Sequence, residues 1–476
     1  MAEAPGSFGN LLTGHVVDFK ANPAAFGTRK REKYGPVSKV KLMDKGIYVC
    51  GAPEVARVLE ADLRALSTSR ATQKFIGELC GRGIVLADGD EARQARAVLA
   101  EVMREANVAP LVGALRASAA MLWEERARSA AGTREAAEKT DDDVAVIDVY
   151  EEVKSWATRE TLLLFLGREL DADGERLGAI VRTSAAIFRG VVGLPMSLPG
   201  GAFAKAKAAG DELRALLRGL VHEEQTRQAD GEAGTDAAER GSLFPLLVSR
   251  YAPVEQGAAA AATCPDLLLD VLVHAASPLI PKLIASAMTS FVLEIAAQAP
   301  LVREMRGADG EGAHARAWNE VLRLWPPLIM TTRRAVTPIT VRRGMADEDD
   351  GGDDGDDVLV PDGAMIFLDL HTASRDPRRS DDADAFHPDA AAAAKCPHLA
   401  FGSGPRACPA QPIVMPMLTA LSTSLLAAWN YRLTVRRAES AGEQPSATVG
   451  ERLRRKWLPV SRPVDNVMLH LKRRKR

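Results

Sequence analysis

The sequence predicts one large, mainly α-helical domain, residues 1–476, with a small β-rich portion. Three observations predict it. From about residue 88 to residue 299, apolar side chains recur at i, i+3 and i+4 or in short solid runs, the pattern of helices packed on a core. Near residues 37–50 and again after Arg334 the spacing shortens to two, as in strands. The chain's 476 residues, 46% of them hydrophobic, can also enclose an extensive interior without help from disulfides. With 61 Lys+Arg against 63 Asp+Glu, no global field argues for a nucleic-acid partner or an anionic membrane.

In chain order, residues 37–42 and 46–50 form a hairpin, and Pro53 then opens a helix through Leu59. Residues 162–166, 213–221 and 267–273 are buried helical stretches, whereas 228–241 and 257–263 are polar or alanine-rich connections. After Arg334, residues 339–341 and 358–367 make a second strand pair. Between them, 345–357 is an acidic loop whose last eleven residues are only Asp, Glu and Gly. Such a block repels itself and is expected to be disordered, and its order does not fit an EF-hand calcium loop. Cys50, Cys80, Cys264, Cys396 and Cys408 form no C-x-x-C pair, which points to a reducing compartment. There is no leader-like start and no uninterrupted apolar stretch of spanning length. The expectation is a cytoplasmic protein without a transmembrane segment, with peripheral membrane contact left open.

The chemistry concentrates in Phe401-Gly402-Ser403-Gly404-Pro405-Arg406-Ala407-Cys408-Pro409, followed by an apolar helix over 413–429. Glycines and Pro405 shape a tight loop, and Cys408 stands at the mouth of the helix with Arg406 two residues before it. A helix N-terminus and a nearby guanidinium both favour thiolate, which can ligate a metal. The plain alternative is one more buried cysteine. The spacing F-x-x-G-x-R-x-C resembles the heme-binding loop of the cytochrome P450 family, carried here by Phe401, Gly404, Arg406 and Cys408. The resemblance implies heme b with Cys408 as proximal iron ligand, Arg406 on a propionate and Phe401 beside the sulfur. Ala410 stands where the family usually has glycine.

Further matches follow the family's order. Glu320 and Arg323, ahead of Pro326-Pro327, resemble its E-x-x-R helix and imply a structural ion pair. Arg333-Arg334 falls where the family carries a propionate-binding arginine, and Arg334 is the expected residue. Asp88-Gly89 followed by Arg96 resembles a further heme-contacting segment, with Ala92 in the usual aromatic or histidine place. Ser374-Arg375-Asp376-Pro377 and Phe386-His387-Pro388-Asp389 resemble the R-D-P and F-x-P-E-R segments. Ala390 replaces the last arginine and removes one expected partner of Glu320 and Arg323.

On the distal side, oxygen-activating members carry an acid followed by threonine to relay protons. The run from Val271 to Lys282 has no such pair; it has Ser277-Pro278 and Pro281, which break a helix or start one. This arrangement resembles the fatty-acid peroxygenase branch, which uses hydrogen peroxide and has Arg-Pro at this place. Ser277 and Pro278 are therefore the expected distal residues, with Lys282 as a substitute cation for a fatty-acid carboxylate or, alternatively, a snorkelling lysine. His274 reads as a hydrogen-bonded core residue, and Cys396, His398 and Ser403 as loop structure. The resemblance implies oxygen insertion into a lipophilic small molecule, as a monooxygenase with a redox partner or as a peroxygenase. A hydroperoxide-rearranging isomerase or dehydratase, and a heme-binding sensor or carrier without turnover, are the alternatives.

Overall fold

A computed structural model describes residues 3–42, 44–61, 63–72, 74–129, 145–192, 200–231, 236–253, 265–308, 310–343, 357–379, 382–389, 398–436 and 454–474. Strands β1 (Val37–Lys41) and β2 (Lys45–Val49) form the expected hairpin, with Val37 opposite Val49. Helix α1 (Ala52–Glu60) follows, with proline in its first turn and Val55, Val58 and Leu59 buried. After the short β3 (Leu66–Ser67), the chain becomes helical: α2 (Gly89–Val102) and α3 (Val112–Ser129). Strand β4 (Ala145–Asp148) then leads into α4 (Val149–Leu166), whose first turn is capped by the Asp148 carboxylate accepting the Glu151 N–H. The long pair α5 (Gly174–Val192) and α6 (Ala202–Ala229) packs together.

The central helical stretch is two segments, α7 (Asp266–Ala275) and α8 (Leu279–Ile295). Helix α8 lies against α4, and α9 (Gly310–Leu324) packs on α8. Two stretches, 266–295 and 411–428, are long and apolar enough to cross a membrane, and about half of each is buried inside this helical core. The runs 162–166, 213–221 and 267–273 lie in α4, α6 and α7, as their apolar spacing predicts. The connection at 228–241 holds one helical turn, Ala237–Arg240, while 257–263 lies outside the described residues.

The β-rich portion differs from the predicted second pair in one respect. Strands β5 (Met330–Ala335), β6 (Ile339–Val341), β7 (Val358–Val360) and β8 (Met365–Asp369) are separate, and β6 pairs antiparallel with β7. The single strand expected over 358–367 is cut at Pro361-Asp362-Gly363, where Gly363 takes φ +75°. Strand β8 instead enters a five-stranded sheet of order β1-β2-β8-β5-β3, parallel to β2 and antiparallel to β5. The acidic loop lies almost wholly outside the described residues.

Helix α10 (Gln411–Ala428) follows the cysteine loop and runs through the core. Strand β9 (Trp429–Arg436), the hairpin strands β10 (Arg455–Lys456) and β11 (Arg462–Pro463), and β12 (Asn466–Arg473) close the chain, with β12 between β4 and β9.

Candidate functional site

The cysteine loop is held by its own backbone. Cys408 N–H donates to Phe401 O at 2.7 Å, Ala407 N–H to Gly404 O at 3.0 Å and Gly402 N–H to Leu399 O at 2.9 Å. Gly402 and Gly404 take φ of +71° and +65°. A Cβ on Gly404 would lie 2.7 Å from Glu60 Cα and Leu59 O, so only glycine lets the loop seat on the end of α1. The fixed result is a thiol at the entry to α10. Burial pushes the Cys408 thiol up, while the N–H groups of Ala410 and Gln411 and the Arg96 guanidinium pull it toward thiolate. The helix-mouth contribution expected from sequence is present, but the guanidinium that reaches the sulfur is Arg96, not Arg406.

Arg406 turns the other way. Its Nη2 donates to Asp88 Oδ1 at 2.6 Å and to Ala87 O at 2.8 Å, while its buried Nε has no partner. Asp88 in turn accepts from Thr68 N–H and from the Ser67 and Ser69 hydroxyls, which hold its carboxyl below its usual value against burial. Arg96 donates Nη1 to Ala407 O at 2.7 Å, and its buried Nε is also unpartnered.

The expected Arg334 is replaced here by its neighbour. Successive residues of β5 face opposite sides of the sheet, and the register turns Arg333 and Ala335 inward. Arg334 lies outward, bonded to Asp44 Oδ2 at 2.8 Å, Gly363 O and Arg70 O. Arg333 is buried, and burial with Arg406 and Arg96 nearby pulls its pKa down to about 10. Alternation alone could have made this choice, because Ala335 must join the core. Among the described residues, neither Arg96 nor Arg333 has a carboxylate partner. A buried and a half-buried guanidinium group without carboxylate partners, and two orphaned Nε atoms beside a loop thiol, fit a dianionic heme, whose propionates would neutralise them.

Glu320 and Arg323 form the expected pair, bidentate with both contacts at 2.7 Å and with the carboxylate buried. The chain completes the cluster with backbone groups. Arg323 donates to the carbonyls of Ser374, Ala383 and Ala385, and Glu320 accepts the His387 N–H at 2.8 Å. Ala390, the missing arginine, lies outside the described residues. The R-D-P aspartate, Asp376, accepts the Ala52 N–H and the Arg378 guanidinium, which also donates to the buried Glu54, tying this segment to α1.

The central helix breaks where Ser277-Pro278 predicts. Helix α7 ends at Ala275 and α8 starts at Leu279, with the Ser277 hydroxyl accepting the Leu279 N–H at 3.3 Å. Pro278 and Pro281 thus lie at the start of α8, where a missing N–H costs nothing, so they are not a strained interior. His274 Nδ1 bonds Asp270 O at 2.6 Å, with its ring packed on Gly83, as expected of a core histidine. Lys282 extends its ammonium 3.8 Å from the Phe188 ring. The charges that act on it are Lys154, Arg462, Lys456 and Glu151, none of them from the arginine cluster. Sequence reasoning singled out neither Arg333 nor Asp88 for the cluster around the loop; His398, expected as loop structure, is half-buried there, and burial lowers its pKa to about 4.

The family model described as Cytochrome P450 matches residues 5–235 and 316–448. Abscisic acid 8'-hydroxylase 1 of Oryza sativa subsp. japonica is 24% identical over 458 residues, 92% of this chain and 86% of that relative. The retinoic acid-bound cyanobacterial CYP120A1 superposes with a TM-score of 0.70 at 18% identity over 99% of both chains. P450BioI in complex with a hexadec-9Z-enoic acid-ligated acyl carrier protein superposes at 0.67 and 14%, over 96% of this chain and 100% of that one. The family match covers the cysteine loop, the arginine cluster and the E-x-x-R helix together, and the fold agrees with it throughout: the chain belongs to the cytochrome P450 family.

Proposed function

We propose that this chain is a heme-thiolate enzyme that inserts oxygen into a lipophilic small molecule, with Cys408 as the iron ligand. The observation that carries it is the pair of carboxylate-free guanidinium groups beside the Cys408 loop, the buried Arg333 and the half-buried Arg96. A heme, which we take to be heme b, would supply oxygen activation when bound, and the thiolate would push electron density onto its iron. Arg96, Arg333 and Arg406 would bind the propionates, and Phe401 and Gly404 would hold the loop close to the porphyrin. Arg96 would also favour the thiolate electrostatically.

Hydrogen peroxide is the oxidant we favour. The Ser277 hydroxyl accepts the Leu279 N–H, and the nearest acid on α7, Asp270, accepts the Arg82 and Gly83 N–H groups. The stretch from Val271 to Lys282 lacks the paired acid and threonine that would relay protons. A monooxygenase with a redox partner is the second reading, favoured by the hydroxylase relative. Abscisic acid and retinoic acid, named with two relatives, each join an apolar skeleton to a carboxyl group, so a lipophilic acid such as a fatty acid is the substrate class we propose. A cytoplasmic location belongs to the same proposal.

The carbon monoxide difference spectrum of the reduced protein, beside Cys408→Ala, tests the ligand. A thiolate-type band lost in the variant is expected; a histidine-type band or no heme overturns it. Turnover with peroxide alone supports the peroxygenase, and turnover only with NADPH and a reductase supports the monooxygenase. Conversion of a lipid hydroperoxide without either oxidant would replace both with the isomerase. No turnover in any regime would leave a heme-binding protein.

A further inference from the structure

Asp88 stands immediately before α2, where an aspartate ordinarily accepts the first free N–H groups of the helix. Its carboxylate makes no such cap bond. It turns instead to the chain around β3, where Ser67 Oγ donates to it at 2.5 Å, Thr68 N–H at 2.8 Å, and Ser69 through both its hydroxyl and its N–H. On its other side it accepts Arg406 Nη2 at 2.6 Å, and the Arg406 side chain is only 5% exposed. These donors keep the carboxyl ionised against burial. Asp88 is also the one carboxylate in the field of the arginines. Among the described residues it acts on Arg333 as well as on Arg406, and no carboxylate acts on Arg96. Three guanidinium groups against one carboxylate leave an excess of two positive charges, which equals the charge of two ionised propionates.

We propose that Asp88 is a positioning residue, which fixes the Arg406 guanidinium beside the cysteine loop, matches the cluster's charge to that of a heme's propionates and thereby holds down the heme's reduction potential. The proposal deepens the heme-thiolate reading and rests on it. Reduction adds one negative charge at the iron, so a positive charge left uncompensated nearby favours the reduced state. Ser67, Thr68 and Ser69 supply the fixed end of the arrangement. With the carboxylate anchored by them, Arg406 is held by Asp88 Oδ1 and by Ala87 O, and its buried Nε stays without a partner. A residue that served only to start α2 would spend its carboxylate on the helix N–H groups, which Asp88 does not.

The test is spectroelectrochemical titration of the heme-loaded wild type, Asp88→Asn, Asp88→Glu and Asp88→Asn/Arg406→Gln, each with its carbon monoxide difference spectrum. Asparagine keeps the size and an acceptor oxygen but removes the charge. Asp88→Asn is therefore expected to shift the one-electron equilibrium about tenfold toward the reduced state, a rise of about 59 mV. Asp88→Glu keeps the charge and should hold the wild-type potential. The double variant restores the excess of two positive charges and should fall back toward wild type. An Asp88→Asn potential at or below that of wild type, a glutamate variant that moves as far as the asparagine one, or a double variant as high as the single one overturns the proposal. A merely structural role would move the glutamate and asparagine variants together. A wild type without the thiolate band overturns the heme-thiolate reading along with this one, whereas an intact band with an unmoved potential overturns this one alone.

Discussion

Replacing Arg333 by methionine should have opposite effects on the heme-free and heme-loaded protein. In the heme-free chain Arg333 is 7% exposed, bonds Thr331 Oγ1 at 3.0 Å and Thr332 O at 2.8 Å, and faces Arg96 and Arg406. Asp88 is the one acid that acts on it and makes no bond to it; a buried charge without a bonded counter-charge is a cost, and an apolar side chain of similar volume removes it. Arg333→Met should therefore raise the denaturation midpoint of the heme-free protein. With heme bound, the same change deletes a charge-assisted hydrogen bond worth about 1.5–3 kcal/mol, a loss of about 10- to 150-fold in heme affinity. The assay is heme transfer to an excess of apomyoglobin, followed by the Soret band. Arg334→Met is the control: it removes an outward pair with Asp44 worth at most about 1 kcal/mol, and heme transfer should stay at the wild-type rate. Unchanged heme loss in Arg333→Met, or accelerated loss in Arg334→Met instead, would refute the assignment.

Three further outcomes follow from the same geometry. Arg323→Ala leaves Glu320 charged and buried and strips three carbonyls of their donor, so stability should fall by about 3–5 kcal/mol; a denaturant midpoint within error of wild type would contradict this. Gly404→Ala forces a non-glycine residue into φ +65°, which costs about 1–2 kcal/mol before its contact with Glu60 is counted, so both the melting temperature and heme retention should drop. His398, held near a pKa of about 4 by burial, is neutral in the folded chain while the unfolded chain takes up its proton below about 6.5. Stability should thus be lost as pH falls from about 6.5 to about 4, by up to about 3 kcal/mol, and His398→Phe should flatten that slope; an unaltered slope would sink the idea.

Much of the site was legible because it is local in sequence. The cysteine loop needs residues 401–408 and their helix, and the E-x-x-R pair needs one helical turn, so spacing alone places them. The β1–β2 hairpin and the break at Ser277-Pro278 are legible for the same reason. What sequence could not supply are contacts between distant segments. Asp88 meets Arg406 across more than three hundred residues, and Arg323 finds its last partners in the carbonyls of Ala383 and Ala385, which carry no side-chain signature. The choice between Arg333 and Arg334 lay between the two cases. It depended on strand parity, and the buried Ala335 two residues on sets that parity toward Arg333.

The way the three arginines around the Cys408 loop are held bears on the kind of group they would take. Arg96, Arg333 and Arg406 are held by backbone carbonyls, threonine and one saturated aspartate, which leaves them fixed before anything binds. Such preorganisation suits a resident group, since little side-chain entropy remains to be lost.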